Sequence, residues 1–396
     1  MTRSKRGFHA VAFVAALIAL GAAAAVLQTS ANAQAAAAMQ APSFEVDPFW
    51  PKPLPNHWLL GSTIGVAVDS QDHVWIVHRG EGTLNPRTET GAAATPPTGE
   101  CCFAAPPVLE FDPAGNLVGH WGGPGEGYEW PASNHGIAVD YKDNVWIGGN
   151  DKKDAHVVKF TRNGKFLVQF GHQGNSGGSN DTANFGQVAK IFVDPKANEA
   201  YLADGYGNRR VAVIDADSGK FKRYWGAYGH RPDDTDLGKY VPEAPPAQQF
   251  RTPVHCAELS NDGLVYVCDR SNDRIQVFQK DGRFVKEAFI AKKTLGDGSV
   301  WDIAFSRDPQ QKYLYLADGK NEHIYVMDRQ SLEILTMFGD GGRQPGQWFA
   351  VHSIATDSKG NIYTVETYEG KRLQKFVYRG LKRVTAKNQG VPWPKP

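Results

Sequence analysis

The sequence predicts an all-β chain, built as a six-bladed β-propeller with four strands per blade. Three observations carry that prediction. Turn formers are frequent: 42 Gly and 24 Pro in 396 residues, against roughly 12% of an ordinary chain. Apolar content is sufficient for a core, at 41% hydrophobic and 11% aromatic, which excludes a disordered chain. One two-strand motif recurs six times, and self-similarity at a loose period marks a repeat architecture. Turn residues this frequent argue against a Rossmann-type α/β chain. The Ala/Glu/Lys/Leu/Arg dominance of a coiled coil is absent.

The six instances are IGVAVDSQDHVWIVHR (64–79), HGIAVDYKDNVWIGGN (135–150), AKIFVDPKANEAYLADG (189–205), HCAELSNDGLVYVCDR (255–270), WDIAFSRDPQQKYLYLADG (301–319) and HSIATDSKGNIYTVET (352–367). In each, two β-prone runs flank turn residues such as Lys142-Asp143 or Asn261-Asp262-Gly263, the pattern of a hairpin. A third run follows, as in His156–Phe160, Arg274–Phe278 and His323–Met327. A fourth ends in an aromatic-Gly pair at Trp121-Gly122, Phe170-Gly171, Trp225-Gly226 and Phe338-Gly339. A two-sheet sandwich does not predict six copies of one motif. The acidic and Arg-Ile stretches after the second strand, with PGQW at 345–348, resemble NHL-type propeller repeats.

The N-terminus has the pattern of a secretory signal over residues 1–33. Arg3, Lys5 and Arg6 precede an apolar run over 10–27, and Ala31-Asn32-Ala33 fits a cleavage site. An uncleaved membrane anchor is the alternative. Residues 34–59 then form a lead-in, 60–380 the propeller and 381–396 a tail. Either the stretch around Ser43–Trp50 or the tail after Leu381 would close the ring. Without residues 1–33 the chain carries 40 basic against 42 acidic residues, so charge gives no case for nucleic acid or anionic lipid. The expected setting is secreted or periplasmic, the expected state a monomer, and the expected partner a small or peptide-derived substrate.

Aligning the repeats on the residue before the first strand gives Ile64, His135, Ala189, His255, Trp301 and His352. Histidine occupies blades two, four and six. The first strand of a propeller blade lines the central channel, so alternate blades place equivalent residues about 120° apart around one axis. Three imidazoles converging at one end form an open metal site with a fourth position for water or substrate. Imidazole ligation favours Zn and leaves Cu, Ni or Fe possible. The bland alternative is a water-bonded histidine at a channel mouth.

Loops entering the first strand and joining strands two and three open on one face. Arg79, Tyr206, Arg270, Lys320 and Tyr368 should therefore rim the same pocket. Asp204, Asp269 and Asp318 recur at one repeat position, with Arg210, Arg274 and His323 following, which reads as structural. Arg79 and Tyr206 break the repeat. A guanidinium is a planar fork for a carboxylate, and a phenol beside a metal can act as a base. Long loops at 80–107 and 227–252 are candidates for lids. Cys256 and Cys268 straddle a hairpin symmetrically, the arrangement of a cross-strand disulfide. Cys101 and Cys102 are adjacent, either bonded or free.

NHGIAVD, DGYGNRRV, PVHCAEL and AVHSIATD together resemble the lyase domain of peptidylglycine α-amidating enzymes. That resemblance implies a six-bladed propeller with zinc held by His135, His255 and His352. It implies cleavage of peptidyl-α-hydroxyglycine to an amide and glyoxylate, with Tyr206 and Arg79 in the active site. It also implies a structural calcium, with the Val66 and Ile137 carbonyls among its ligands. The chain departs from the family pattern at Ser353, where the family has a calcium-binding Asp, at Ala350 in place of Met, and at Gly207 in place of Cys. A non-catalytic binding propeller and a propeller hydrolase such as a lactonase are the competing classes. The latter usually use carboxylate-rich calcium sites.

Overall fold

The computed structural model describes residues 39–80 and 82–394. The expected signal segment, 1–33, lies outside the described residues. No described helix is long and apolar enough to cross a membrane.

Six four-stranded antiparallel sheets form the blades. Their innermost strands are Ser62–Val68, Asn134–Val139, Val188–Asp194, Val254–Leu259, Asp302–Phe305 and Val351–Thr356. Blades one to five each run inner to outer in chain order. The sixth is completed by Gln40–Asp47, which pairs antiparallel with Leu373–Arg383. The stretch read as a lead-in therefore supplies the outer strand, and the ring is closed by both ends of the chain. Beyond Arg383 the tail follows the outer edge of blade five, where Met337 N–H donates to Lys387 O at 2.9 Å.

In blades one, two and six the first hairpin is held by one carboxylate. Asp140 Oδ1 accepts from Lys142 N and Asn144 N, both at 2.9 Å, and its Oδ2 accepts from Trp146 Nε1 at 2.9 Å. Asp69 repeats this with Gln71, His73 and Trp75, and Asp357 with Lys359, Asn361 and Tyr363. An Asp side chain bonding its own turn amides is the reason the VD-turn-VW pattern recurs. The aromatic it fixes is buried: Trp75 and Trp146 are fully enclosed. These side chains pack between neighbouring blades, as where Trp146 meets Val188, Ile191 and Leu202. Each buried Val, Leu, Ile or Phe contributes about 1.5–3 kcal/mol.

The recurring second-strand acids are structural, as expected. Asp204 pairs with Arg210 and Asp269 with Arg274, each at 2.7 Å with both side chains fully buried. Asp318 instead accepts from Asn321 N at 2.9 Å and Asn321 Nδ2 at 2.7 Å. Cys256 and Cys268 stand opposite each other in the ladder and form a disulfide with Cα atoms 4.8 Å apart. Cys101 and Cys102 are also bonded.

Asp273 is a weak point of blade four. It is fully buried at φ 53°. Its Oδ1 accepts from Ser299 N at 2.8 Å, and its Oδ2 has no partner. Burial pushes its carboxyl up to about 7; bonds from Ser299 oppose this and the charges of Asp318 and Asp269 reinforce it. A folded-state value above the unfolded one means stability falls as pH rises from about 4 to 7. Asn tolerates the left-handed backbone and carries no charge. In urea denaturation, the stability gained from Asp273→Asn should therefore grow by about 2–3 kcal/mol between pH 5 and pH 8.

Candidate functional site

The three sequence-predicted histidines meet at one end of the channel. His135, His255 and His352 are 2%, 3% and 3% exposed. Their ring centroids lie 5.2, 4.8 and 4.8 Å apart. One nitrogen from each lies within 4.8 Å of the others. Three nitrogens bound to one tetrahedral ion stand roughly 3.4 Å apart, so small side-chain adjustments complete such a shell.

The blades between them set the tautomer. His135 Nδ1 lies 2.7 Å from Ala189 O, and His352 Nδ1 lies 2.6 Å from Ile64 O. His255 Nδ1 contacts Trp301 O. A carbonyl only accepts, so each Nδ1 carries the proton and each Nε2 keeps its lone pair. That is the state in which imidazole binds a metal. The acceptors Ile64, Ala189 and Trp301 are the odd-blade residues at the same repeat position. Burial pushes all three histidines below the ordinary range. His352 and Arg79 add to this at His135, and Arg270 adds to it at His255. Burial followed by the Arg270 charge brings His352 down to about 3.

Glycines bring the inner strands close enough for these bonds. A Cβ on Gly136 would stand 2.6 Å from Ala189 O, the carbonyl that orients His135. A Cβ on Gly205 would meet the Val254 backbone at 2.0 Å, so the DGY loop lies directly on the strand carrying His255.

That loop delivers Tyr206. Its Oη is 3.0 Å from His135 Nε2 and 3.1 Å from His255 Nε2. Arg79, on the second strand of blade one, is clamped rather than free. Its Nε donates to Asn134 O at 3.0 Å, its Nη2 donates to Asn150 Oδ1 at 2.6 Å, and Asn134 Nδ2 returns a bond to His78 O. His78 is a buried scaffold residue, accepting from Gly61 N on Nδ1 and contacting Pro106 O through Nε2.

Arg270 was foreseen only as a rim residue, yet it enters the site. Its Nη1 donates to Tyr206 Oη at 3.3 Å, and its guanidinium lies 4.5 Å over the Trp301 ring. The side chain is buried, and its Nε has no hydrogen-bond partner. A buried, unpartnered guanidinium donor beside a phenol and three imidazoles is suited to an anionic ligand. The signal lay one position beyond the filter that isolated Arg79: Gly80, Gly205 and Gly319 occupy that position in blades one, three and five.

Two other clusters of ligating residues fail the same fit. Asp69, His73 and Glu110 converge, but the Arg162 guanidinium bonds Asp69 at 2.8 Å and contacts Glu110. Cys256 and Cys268 sit near Asp302 but are disulfide-bonded. The loops at 80–107 and 227–252 lie on the histidine face. Lys371 bonds Glu89 in the first, and Arg209 bonds the Asp233 carbonyl in the second.

No family model matches the chain. Peptidylglycine alpha-amidating monooxygenase of Rattus norvegicus is 24% identical over 350 residues, covering 85% of this chain and 33% of its own length. Peptidyl-alpha-hydroxyglycine alpha-amidating lyase 1 of Drosophila melanogaster is 25% identical over 357 residues, covering 84% and 59%. The chain is a six-bladed propeller similar to the amidating lyases. It spans about a third of the length of the first amidating relatives it matches. NHL repeat-containing protein 3 of Mus musculus is 25% identical over 358 residues, covering 86% of this chain and 85% of its own. Among solved structures, virginiamycin B lyase from Staphylococcus aureus is similar at 15% identity and a TM-score of 0.46, covering 85% and 89%.

The geometry makes a metal-analysis prediction. After zinc loading and desalting, the protein should hold one zinc per chain by elemental analysis. His135→Ala, His255→Ala and His352→Ala should each lower this by tenfold or more while melting remains cooperative. Full zinc content in all three variants would dismiss the cluster as the site. Gly136→Ala should also weaken zinc binding, by roughly 10–100-fold, because it displaces the carbonyl that holds His135.

Proposed function

We propose that this chain is a secreted or periplasmic, metal-dependent carbon–nitrogen lyase acting on an α-hydroxyglycine-type substrate. The products are an amide and glyoxylate. The observation that carries the reading is Tyr206 Oη, which lies within 3.1 Å of two histidine Nε2 atoms and 3.3 Å of Arg270. One phenol thus touches the candidate metal ligands and an unsatisfied cation at once. The similarity to amidating lyases supports the same reaction class, and two disulfides support an oxidising compartment.

His135, His255 and His352 would hold the ion, with zinc favoured by a set of three imidazoles. A divalent ion bound there supplies Lewis acidity toward the substrate hydroxyl. Arg270, with its free Nε donor, binds the substrate carboxylate and fixes which oxygen faces the histidines. Arg79 adds positive charge that acts on Tyr206 and is held rigid by Asn134 and Asn150. Tyr206, as phenolate, would take the proton of the α-hydroxyl on Oη. The C–O bond becomes a carbonyl, the C–N bond breaks, and its electron pair goes to the amide nitrogen, which takes that proton back from Tyr206. Atoms balance as one hydroxyglycine derivative giving one primary amide and one glyoxylate.

Glyoxylate release from α-hydroxyhippurate tests the reading. Metal-loaded protein should release it and chelated protein should not. Tyr206→Phe should lower kcat by about 10²–10⁴ with zinc content unchanged, whereas Arg270→Lys should act mainly through KM. One bound zinc with no glyoxylate from any α-hydroxyglycine derivative would instead make the chain a metal-containing binding propeller. Lactone hydrolysis without glyoxylate release would make it a hydrolase.

A further inference from the structure

Beneath the histidines the channel is crossed by a charged belt. Lys190 extends from the inner strand of blade three. Its Nζ lies 2.6 Å from Asp302 Oδ1 in blade five and 2.9 Å from Glu258 Oε1 in blade four. Asp302 Oδ2 accepts from Ser353 Oγ at 2.6 Å and from Ile354 N at 3.1 Å, both in blade six. Four consecutive inner strands are stitched at one level. The side chains are well covered: Lys190 is 12% exposed, Glu258 14% and Asp302 2%. Above the belt, a void of about 10 Å³ separates Lys190, Asp302 and Ser353 from the histidines, room for one water. Below it, a cavity of about 350 Å³ is lined by Val66, Ile137, Lys190 and Glu258.

The calcium implied by the family resemblance does not fit these residues. Calcium takes six to eight oxygens. Both Asp302 oxygens are committed, one to an ammonium and one to a hydroxyl and an amide. One Glu258 oxygen faces the same ammonium. Ser353 offers a hydroxyl donor where the resemblance implies a carboxylate. Val66 and Ile137 do line the channel, but the neighbouring cation is already present as a side chain. Burial alone would push Lys190 down; Asp302 and Glu258 more than offset it and hold the ammonium charged.

We infer that Lys190 is a tethered cation that replaces a structural metal in this channel, so that the propeller and its histidine site are calcium-independent. A covalently attached ammonium bridges the carboxylates of blades four and five without binding equilibrium or calcium supply. This inference stands apart from the lyase reading, since it concerns what holds the channel rather than what the site converts.

Elemental analysis and thermal melting of the full chain test it. Wild-type protein desalted from millimolar calcium should retain less than a tenth of a calcium per chain. Its melting temperature should be the same with and without calcium. Lys190→Met leaves Asp302 and Glu258 facing each other without a cation, so its melting temperature should fall by several degrees and recover in calcium. Lys190→Arg should melt near wild type in both conditions. About one retained calcium per wild-type chain, with lower melting once it is removed, would overturn the inference. So would a Lys190→Met variant that melts as wild type and ignores calcium. The wild-type measurements decide the matter even where Lys190→Met fails to accumulate.

Discussion

Three hydrogen bonds across the channel decide what the centre of this molecule can do. Each runs from Nδ1 of an even-blade histidine to the backbone carbonyl of an odd-blade residue, Ala189, Trp301 or Ile64. The bond fixes the proton on one nitrogen and aims the other at the axis. It also joins neighbouring blades, so the inner strands cannot slide relative to one another without misaiming an imidazole. An even number of blades is needed for this alternation to close on itself. Six blades give three donors and three acceptors in strict sequence, and a seventh would put two like positions side by side.

Ring closure is therefore a condition for the site. Blade six carries His352 on its inner strand and takes its outer strand from Gln40–Asp47. Ile64, which accepts from His352, lies at the start of blade one. The seam between the chain's two ends runs through one of the three hydrogen bonds that aim the histidines. Packing at the seam is dense, with Phe44 between Tyr315, Phe338 and Tyr378. A chain frayed at this strand would loosen His352 before it disturbed His135 or His255.

The fold and the histidines were legible because both are written in recurrence. In three blades a hairpin Asp bonds its own turn and fixes an aromatic on the adjacent strand, and the two-strand pattern around that turn recurs in all six. The histidines stood out as an alternation laid over that repeat, and Arg79 as a cation where blades three to six carry Asp or Glu. Arg270 was read only as part of the rim, because its Asp269 neighbour belongs to the structural pattern. What made it part of the site is contact with Tyr206, 64 positions away. Lys190 left no signal at all. Its partner Asp302 is 112 positions distant, and no local period links a lysine of one blade to a carboxylate two blades on. The closing strand was undecidable for a related reason: edge strands are specified by pairing partners, not by internal pattern.

Charge is layered along the axis, and the layering limits what can bind. The belt of Lys190, Glu258 and Asp302 carries two carboxylates against one ammonium. The three imidazoles above it are neutral. Above these stand Arg79 and Arg270, neither paired with a carboxylate at short range: Arg270 lies 3.9 Å from Asp297, and Arg79 bonds only neutral groups. A cation at the histidines is thus drawn from below and opposed from above. The opposition is removed when an anion arrives between the arginines. On the proposed reading, substrate and ion would then stabilise each other's binding, and a neutral substrate analogue would forfeit that mutual gain. On the lyase reading proposed above, a carboxylate beside a hydroxyl would answer both the arginines and the open side of the histidine triangle in a single molecule. Layered charge of this kind would then favour an α-hydroxy acid group over a neutral analogue before any contact with the rest of the substrate is made.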